Sequence, residues 1–243
     1  MIFLKQVHIH SEKFPVPDFY PFSMDLFRQT KAVSFKTPIT FFIGENGTGK
    51  STLLNALAIR CGIHIWQNEF NLRYENNPYE NDLYKTISVE WENGPVPGSF
   101  FGSQIFSHFA QNLEEWAISD AGMLKYFGGK SLIAQSHGQS LMSYFQSRYT
   151  IKGLYFLDEP ETALSPSSLI ELLNLLIKTA QRGHAQFIIA THSPLLLACP
   201  DALIYSFDNH KIAPVKYKDT TYYHIYKTFM NTPDRFINNE SNG

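Results

Sequence analysis

The sequence predicts an α/β domain built on a mostly parallel sheet, and three short apolar runs carry this prediction. The runs occupy residues 39–43, 154–158 and 186–191, and each ends in a glycine-rich or polar turn. Buried parallel strands have this continuous apolar character, and α/β proteins follow such strands with helices. Helical periodicity follows the first run at residues 51–58 and the second at residues 169–177. With 243 residues, of which 44 % are hydrophobic, the chain can bury its core as one domain.

The turn after the first run fits the pattern G-x-x-x-x-G-K-[ST]. It reads GENGTGKS, residues 44–51, and it separates a predicted strand from a predicted helix. Glycines there let backbone N–H groups close around phosphate oxygens, and the helix N-terminus faces the same anion. Lys50 can reach the outer phosphates and the Ser51 hydroxyl can ligate Mg²⁺. The pattern predicts a nucleoside triphosphate cradle formed by Gly44, Glu45, Asn46, Gly47, Thr48, Gly49, Lys50, Ser51 and Thr52.

The second run ends in two carboxylates. Residues 154–160 read LYFLDEP, which places Asp158 and Glu159 at the end of a predicted strand. Ligands of open α/β sheets bind beyond the carboxyl ends of the strands, so both side chains should project toward the same phosphates. Asp158 suits coordination of Mg²⁺, directly or through water, and Glu159 suits a general base for the attacking water. The alternative is an acidic turn that caps a buried strand, but the glycine loop favours the catalytic assignment.

The third run ends in His192, within the sequence ATHSP. A neutral imidazole at this strand end could hydrogen-bond the γ-phosphate or orient the water and Glu159. The alternative is a solvent-facing loop histidine. The position of His192 at the end of a predicted strand makes it a better candidate for the site than His8, His64 or His210.

A second turn with anion-binding character lies before the second run. Residues 136–140 read SHGQS and precede a predicted helix over residues 141–149. A hydroxyl, an unhindered backbone and a helix N-terminus together make an anion site. Because the chain already has a phosphate cradle, this turn makes sense if it serves the nucleotide of another subunit. Its candidate nucleotide-binding residues are Ser136, Gly138 and Gln139.

These motifs in this order resemble those of the ABC-type ATPases. GENGTGKS resembles Walker A, SHGQS the signature, LYFLDEP Walker B, and ATHSP the switch-histidine motif. The motif sequences are closer to those of the SMC, RecF and OLD-like group of AAA family ATPases. They are most similar to those of small stand-alone bacterial ATPases with an SHG signature. The resemblance implies an ABC-type P-loop NTPase with a mostly parallel core sheet, an antiparallel β part and a small helical lobe that carries the signature. We expect a single domain over residues 1–237, the lobe at about residues 98–150, and a disordered tail at residues 238–243.

Two features depart from the transporter branch of that superfamily. SHGQS replaces LSGGQ, so that His137 stands in place of the first glycine, and Ser165 stands where transporters usually have aspartate. The glutamine of the Q-loop is assigned to Gln104, which we expect to contact Mg²⁺ and water. A surface glutamine at a helix start is the alternative for Gln104.

Composition limits the choice of partners. Between Ser51 and Ser136 there is no room for coiled-coil arms, and residues 84–91 have the pattern of a strand. A net charge of −2 argues against a strongly basic DNA-binding surface, which leaves nucleic acid unproven as a partner. The first residues predict an edge strand, not a signal sequence, and no run reaches transmembrane length. The two cysteines form no disulfide framework or metal spacing, so we expect a reduced cytoplasmic chain without membrane insertion.

The C-terminal part predicts a hairpin over residues 202–217, followed by an aromatic-rich helix over residues 221–230. That helix either packs on the sheet, which burial preferences favour, or binds a partner. For function, we expect an ATP-hydrolysing switch that closes as a head-to-tail homodimer around Mg²⁺–ATP and acts on an effector protein. The alternatives are a transporter nucleotide-binding subunit and the ATPase of a defence or DNA-repair complex. A P-loop kinase is disfavoured because it has no use for SHGQS.

Overall fold

The computed structural model describes residues 1–65, 77–102, 106, 115 and 137–237, and these residues form two sheets. The strands, in chain order, are β1 (Leu4–Ile9), β2 (Ala32–Ser34), β3 (Ile39–Ile43), β4 (Ile87–Trp91), β5 (Gly98–Gly102), β6 (Gly153–Asp158), β7 (Ala185–Ala190), β8 (Leu203–Ser206) and β9 (Ala213–Val215). A six-stranded sheet has the order β5-β6-β7-β3-β8-β9, and a three-stranded sheet has the order β2-β1-β4. All neighbours in the larger sheet are parallel except β8 and β9, which confirms the mostly parallel sheet and the C-terminal hairpin.

Helices cover both faces of the larger sheet. In chain order they are α1 (Asp25–Gln29), α2 (Lys50–Arg60), α3 (His137–Arg148), α4 (Pro166–Gln181), α5 (Pro194–Leu197), α6 (Thr221–Asn231) and α7 (Asp234–Ile237). Short 3₁₀ helices occupy Ser11–Lys13, Asp82–Thr86, Pro160–Ala163 and Tyr217–Asp219. Ser165 caps helix α4, because its side chain accepts a hydrogen bond from the N–H of Ser168 and a proline follows at the first helical position.

Alternate residues of the central strands enter two different cores. Phe41 and Leu157 face the core that α3 and α4 cover, whereas Phe42 and Phe156 face the core shared with α1, α2 and the three-stranded sheet. Every residue of β3 and β7 is buried, as expected of central parallel strands with helices on both faces. The sheet is therefore packed between two layers.

Register brings the carboxyl ends of the strands to one edge. Asp158 at the end of β6 pairs with Ala190 at the end of β7, and Ala190 pairs with Phe42 near the end of β3. Ile43 pairs with Ser206 at the end of β8. The segments that follow these four strands consequently begin side by side.

A buried glutamine joins the two sheets. Gln186 on β7 accepts hydrogen bonds from the N–H groups of Phe3 and Leu4 at 2.7 and 2.8 Å, and its amide donates to the Leu4 carbonyl at 2.8 Å. Strand β1 lies in the middle of its sheet, paired with both β2 and β4. The predicted edge strand at the N-terminus is therefore wrong, since local sequence does not reveal how many partners a strand has.

Three predicted boundaries also differ from the structure. Helix α3, predicted over residues 141–149, begins at His137, so residues 137–140 of the predicted turn are already helical. Strand β4 begins at Ile87 rather than at residue 84, because the preceding residues form the 3₁₀ turn Asp82–Thr86. Gly98–Gly102, predicted as the start of the helical lobe, pairs with β6 as the first strand of the larger sheet. The rest of that lobe up to residue 136, apart from Phe106 and Glu115, and the predicted tail at residues 238–243 lie outside the described residues.

Helix α6 contacts α5 but buries none of its residues fully. Ile225, Tyr226, Phe229 and Met230 are exposed, with Met230 at 80 %. The favoured burial of this helix on the sheet is therefore wrong for these four residues, because the helix contacts α5 and the 3₁₀ helix Tyr217–Asp219, and Tyr222 packs against the core. No helix among the described residues has both the length and the apolar character needed to span a bilayer.

Candidate functional site

The glycine loop connects β3 to α2 at the edge where the strands end. Gly49 is the N-cap of α2 and has a φ of 95°, a conformation that disfavours side chains. A Cβ at Gly49 would lie 2.9 Å from Phe27 Cζ, and one at Gly44 would lie 2.9 Å from Thr48 Oγ1. The loop is therefore too tight for larger residues at both positions, which fits a backbone that wraps a phosphate chain.

Lys50 points its ammonium group into this loop. Its Nζ donates to the carbonyls of Gly44 and Glu45 at 2.7 and 2.9 Å, and the residue is only 4 % exposed. Burial lowers the pKa of Lys50, although the carboxylates of Glu159 and Asp158 partly oppose this effect. A buried cation whose hydrogen bonds to described residues go to carbonyl oxygens is well placed to gain an anionic partner.

Ser51 and Asp158 form the second part of the site. Ser51 Oγ donates to Asp158 Oδ1 at 2.9 Å. Burial raises the pKa of Asp158 to about 6, while the Ser51 hydrogen bond lowers it. Among the described residues no cluster of three or more His, Cys, Asp or Glu side chains could hold a metal. Two adjacent oxygens fit Mg²⁺, which commonly completes its shell with phosphate oxygens and waters.

Glu159 occupies a strained position after β6. Its φ of 47° and ψ of 55° lie in the left-handed region, which typically costs about 1–3 kcal/mol for residues other than glycine. Its N–H donates to the Ala190 carbonyl at 3.0 Å, which holds the turn against β7. Glu159 Oε1 lies 3.5 Å from His192 Nε2. The turn thus directs a partly exposed carboxylate toward the histidine.

His192 is held by contacts on its backbone and on its ring. Its N–H donates to Glu161 Oε1, and its Nδ1 lies 2.8 Å from the hydroxyl of Tyr222. The Tyr222 hydroxyl donates to the Gly44 carbonyl at 2.9 Å. Burial raises the pKa of Glu161 and raises that of Tyr222 to about 12. The histidine is therefore connected to the glycine loop through a tyrosine of α6.

Further contacts hold the remaining loop residues. The N–H of Glu45 donates to Asp208 Oδ1 at 2.7 Å, and Thr48 Oγ1 donates to the Glu45 carbonyl at 2.9 Å. The Thr52 hydroxyl contacts the Tyr20 hydroxyl. Asp208, which follows β8, thus acts as a fourth strand-end side chain in the site.

The structure brings together the loop residues 44–52, Asp158, Glu159 and His192. Gly138 and Gln139 lie in the first turn of α3, which packs on α4, and a Cβ at Gly138 would lie 3.9 Å from Ser168 Oγ. Ser136 and Gln104 lie outside the described residues. The roles assigned to all these residues stay predictions.

Sequence reasoning missed Asp208 and Tyr222. Asp208 could have been found, because it follows a strand of the parallel sheet as Asp158 and His192 do. Tyr222 gave no such signal, since it lies on a helix 178 residues from its partner Gly44. Glu161 sits within the DEPE sequence, but its bond to the His192 backbone requires the fold.

The arrangement defines a class of protein. The site has the parts of a P-loop ATPase: a glycine loop between a parallel strand and a helix, a hydroxyl hydrogen-bonded to a strand-end aspartate, and a second carboxylate beside a histidine. Their order in the chain, on a mixed sheet joined to an antiparallel sheet, is that of an ABC-type ATPase.

Comparisons with known proteins agree with this class. The family model described as "AAA domain" matches residues 22–62, which include the glycine loop. The model described as "AAA domain, putative AbiEii toxin, Type IV TA system" matches residues 107–198, which include Asp158, Glu159 and His192. The chain is also 27 % identical over 164 residues to the thiamine import ATP-binding protein ThiQ of Histophilus somni (strain 129Pt), covering 62 % of this chain and 74 % of ThiQ.

Solved structures show the same fold. CbiO1 from Clostridium perfringens, part of the ABC transporter complex cbiONQ, matches with a TM-score of 0.56 and 17 % identity over 97 % of this chain and 98 % of its own. An Smc head domain with an extended coiled coil from Pyrococcus furiosus matches with a TM-score of 0.53 and 10 % identity over 98 % of this chain and 100 % of its own. The two family matches support AAA-type P-loop ATPase domains in this chain, and the solved structures show that its fold is that of the ABC ATPases.

Proposed function

We propose that this protein is an ATP-driven switch that closes as a head-to-tail homodimer with ATP and Mg²⁺ sandwiched between its subunits. Closing and reopening would drive or gate a partner protein in defence or DNA repair. One observation carries the proposal: Lys50, the Ser51–Asp158 pair and the Glu159–His192 pair meet at one sheet edge. Those are the parts needed to hold a triphosphate and to activate water.

The chemistry divides among these residues. Lys50 exchanges its loop carbonyls for the outer phosphate oxygens, and Ser51 and Asp158 hold Mg²⁺, which neutralises charge on the phosphates. Glu159, with 32 % of its side chain exposed, accepts a proton from the attacking water. His192 lies close enough to Glu159 to orient the same water or the γ-phosphate.

The second segment predicted to bind an anion, residues 136–140, is the argument for a dimer. In the proposal, the strand edge of one chain by itself provides the phosphate cradle, the metal ligands and the base. Gly138 instead lies beside Ser168 at the start of α4. In the proposal Ser136, Gly138 and Gln139 contact the nucleotide held by the other subunit, as the family resemblance implies.

The effector is proposed from the comparisons. The match of residues 107–198 to the AAA family described with the AbiEii toxin favours a defence role. The identity with ThiQ favours the alternative, a nucleotide-binding subunit of an ABC transporter. Capture of partners by the hydrolysis-blocked protein separates these roles: a toxin or nuclease supports defence, nucleic acid supports repair, and an integral membrane protein supports transport.

The switch is tested with Glu159→Gln. Glutamine keeps the size of the side chain but cannot accept a proton from water, so ATP turnover should fall by about 10²- to 10⁴-fold. Binding residues are unchanged, so the closed dimer should accumulate. Size exclusion with light scattering should show a dimer with Mg²⁺–ATP and a monomer with ADP or without nucleotide.

The matched control is Glu171→Gln, an exposed glutamate on α4, which should behave as the wild type. A monomer of Glu159→Gln under every condition, or a dimer equally populated without nucleotide, would refute the ATP-dependent switch.

A further inference from the structure

The hydroxyl of Tyr222 lies between two polar groups whose bonding roles are restricted. On one side is the Gly44 carbonyl at 2.9 Å, which can only accept a hydrogen bond. On the other side is His192 Nδ1 at 2.8 Å, which can donate or accept according to its tautomer. A tyrosine hydroxyl has one proton, so the Gly44 carbonyl must receive it.

The protonation of the imidazole follows from this count. Since the Tyr222 proton is directed at Gly44, its oxygen accepts from His192, and Nδ1 must carry a proton. In the neutral ring Nε2 is then unprotonated. This nitrogen faces Glu159 Oε1 at 3.5 Å and has no hydrogen-bond partner among the described residues. Two acceptors, His192 Nε2 and Glu159 Oε1, therefore lie side by side, and Nε2 is buried in the nucleotide-free structure.

We propose that Tyr222 is a positioning residue of the nucleotide site, which fixes neutral His192 as the Nδ1–H tautomer and leaves Nε2 as an acceptor beside Glu159. The proposal rests on the proposed function for its catalytic consequence. Two acceptors bind the attacking water through its two protons, so that Glu159 accepts one proton while Nε2 orients the other. His192 can donate to the γ-phosphate through Nε2 only when it is doubly protonated.

Tyr222 also has a second structural role, which is to hydrogen-bond the Gly44 carbonyl. This carbonyl accepts from both Lys50 Nζ and Tyr222 Oη. When Lys50 turns its ammonium to a phosphate oxygen, Tyr222 still satisfies the carbonyl and holds the first residue of the loop. Burial raises the pKa of Tyr222 to about 12, so its hydroxyl keeps the proton that this bond needs.

The tautomer can be measured without nucleotide. Two-bond ¹H–¹⁵N spectra of histidine-labelled protein, at a pH where histidine is neutral, should show a protonated Nδ1 and an unprotonated Nε2 for His192, assigned with His192→Gln. In Tyr222→Phe, which removes only the hydroxyl, the Nδ1–H preference should be lost. A wild-type His192 with its proton on Nε2 would overturn the proposal.

Kinetics provide the second readout. Hydrogen-bond partners that orient metal-binding histidines contribute about 10- to 100-fold, and by analogy Tyr222→Phe should lower kcat by about that factor and change KM for ATP much less. The matched control is Tyr223→Phe on the same helix, whose hydroxyl contacts Lys227, and it should change neither constant. An unchanged kcat with an unchanged tautomer in Tyr222→Phe would refute the positioning role. Absence of ATPase activity in the wild type would refute the proposed function instead, while the spectra would still decide the tautomer.

Discussion

Asp158 holds its carboxylate in surroundings that disfavour negative charge. Burial raises its pKa from 3.8 to about 6, and the hydrogen bond from Ser51 offsets only part of this rise. The pKa in the folded protein is therefore above that in the unfolded chain. The charged carboxylate destabilises the fold above pH 6, and the destabilisation is relieved as the pH falls from about 6 toward 3.8.

Asp158→Asn should therefore stabilise the nucleotide-free protein at pH 8. Asparagine keeps an oxygen that accepts the Ser51 hydrogen bond but carries no charge, so the gain should be on the order of 2–3 kcal/mol. The gain should shrink at pH 5, where wild-type Asp158 is mostly protonated. Thermal unfolding at both pH values measures this difference, and Mg²⁺-dependent ATP hydrolysis should be lost.

The control for this substitution is Asp18→Asn, which changes an exposed aspartate. It should alter stability little at either pH. An equal gain for Asp158→Asn at pH 5 and pH 8 would contradict the assigned burial cost.

Helix α2 begins at a glycine that serves both the fold and the site. Gly49 and Gly62, near the two ends of this helix, both have positive φ values, 95° and 71°. Their surroundings differ, because a Cβ at Gly49 would meet Phe27 Cζ at 2.9 Å whereas one at Gly62 would meet nothing within 4 Å. Substitutions at the two glycines therefore distinguish the cost of backbone strain, which both share, from the cost of steric overlap, which only Gly49 has.

Gly62→Ala should lower the free energy of unfolding by about 1–2 kcal/mol through strain alone. Gly49→Ala should cost about 1–3 kcal/mol more, because Phe27 or the loop must move. Urea unfolding compares the two variants, and calorimetry should show that only Gly49→Ala weakens ATP binding. Equal stability of the two variants would show that the loop accommodates the methyl group.

The two sheets of the molecule depend on each other through Gln186. Its side chain is fully buried and satisfies two N–H groups and one carbonyl of residues 3 and 4. Buried polar groups without partners typically cost about 1–3 kcal/mol each. The link therefore contributes to the stability of the whole molecule rather than of one strand.

Gln186→Ala should lower the free energy of unfolding by at least about 3 kcal/mol, since it leaves three backbone groups without their partner and also creates a cavity. Denaturant unfolding measures this change. Gln181→Ala, at the exposed end of α4, is the control and should change stability by less than about 0.5 kcal/mol. A small effect of Gln186→Ala would mean that water or a shifted backbone replaces the amide.

Much of this fold and of the candidate site can be predicted from local patterns. Residues 39–43 form a strand as predicted, and Gly44, Asp158 and His192 all lie at or just after the carboxyl ends of parallel strands. Strand direction alone then places these turns at one edge. Such inferences succeed because each depends on neighbouring residues and on one general property of parallel sheets.

The contacts of Tyr222 with Gly44 and of Gln186 with Phe3 could not be predicted in this way. They join residues 178 and 183 positions apart, so they depend on the path of the whole chain. The same path puts β1 in the middle of its sheet and leaves the apolar face of α6 exposed. Apolar periodicity defines which face of an element avoids water, but the partner that covers that face is selected by packing between distant segments.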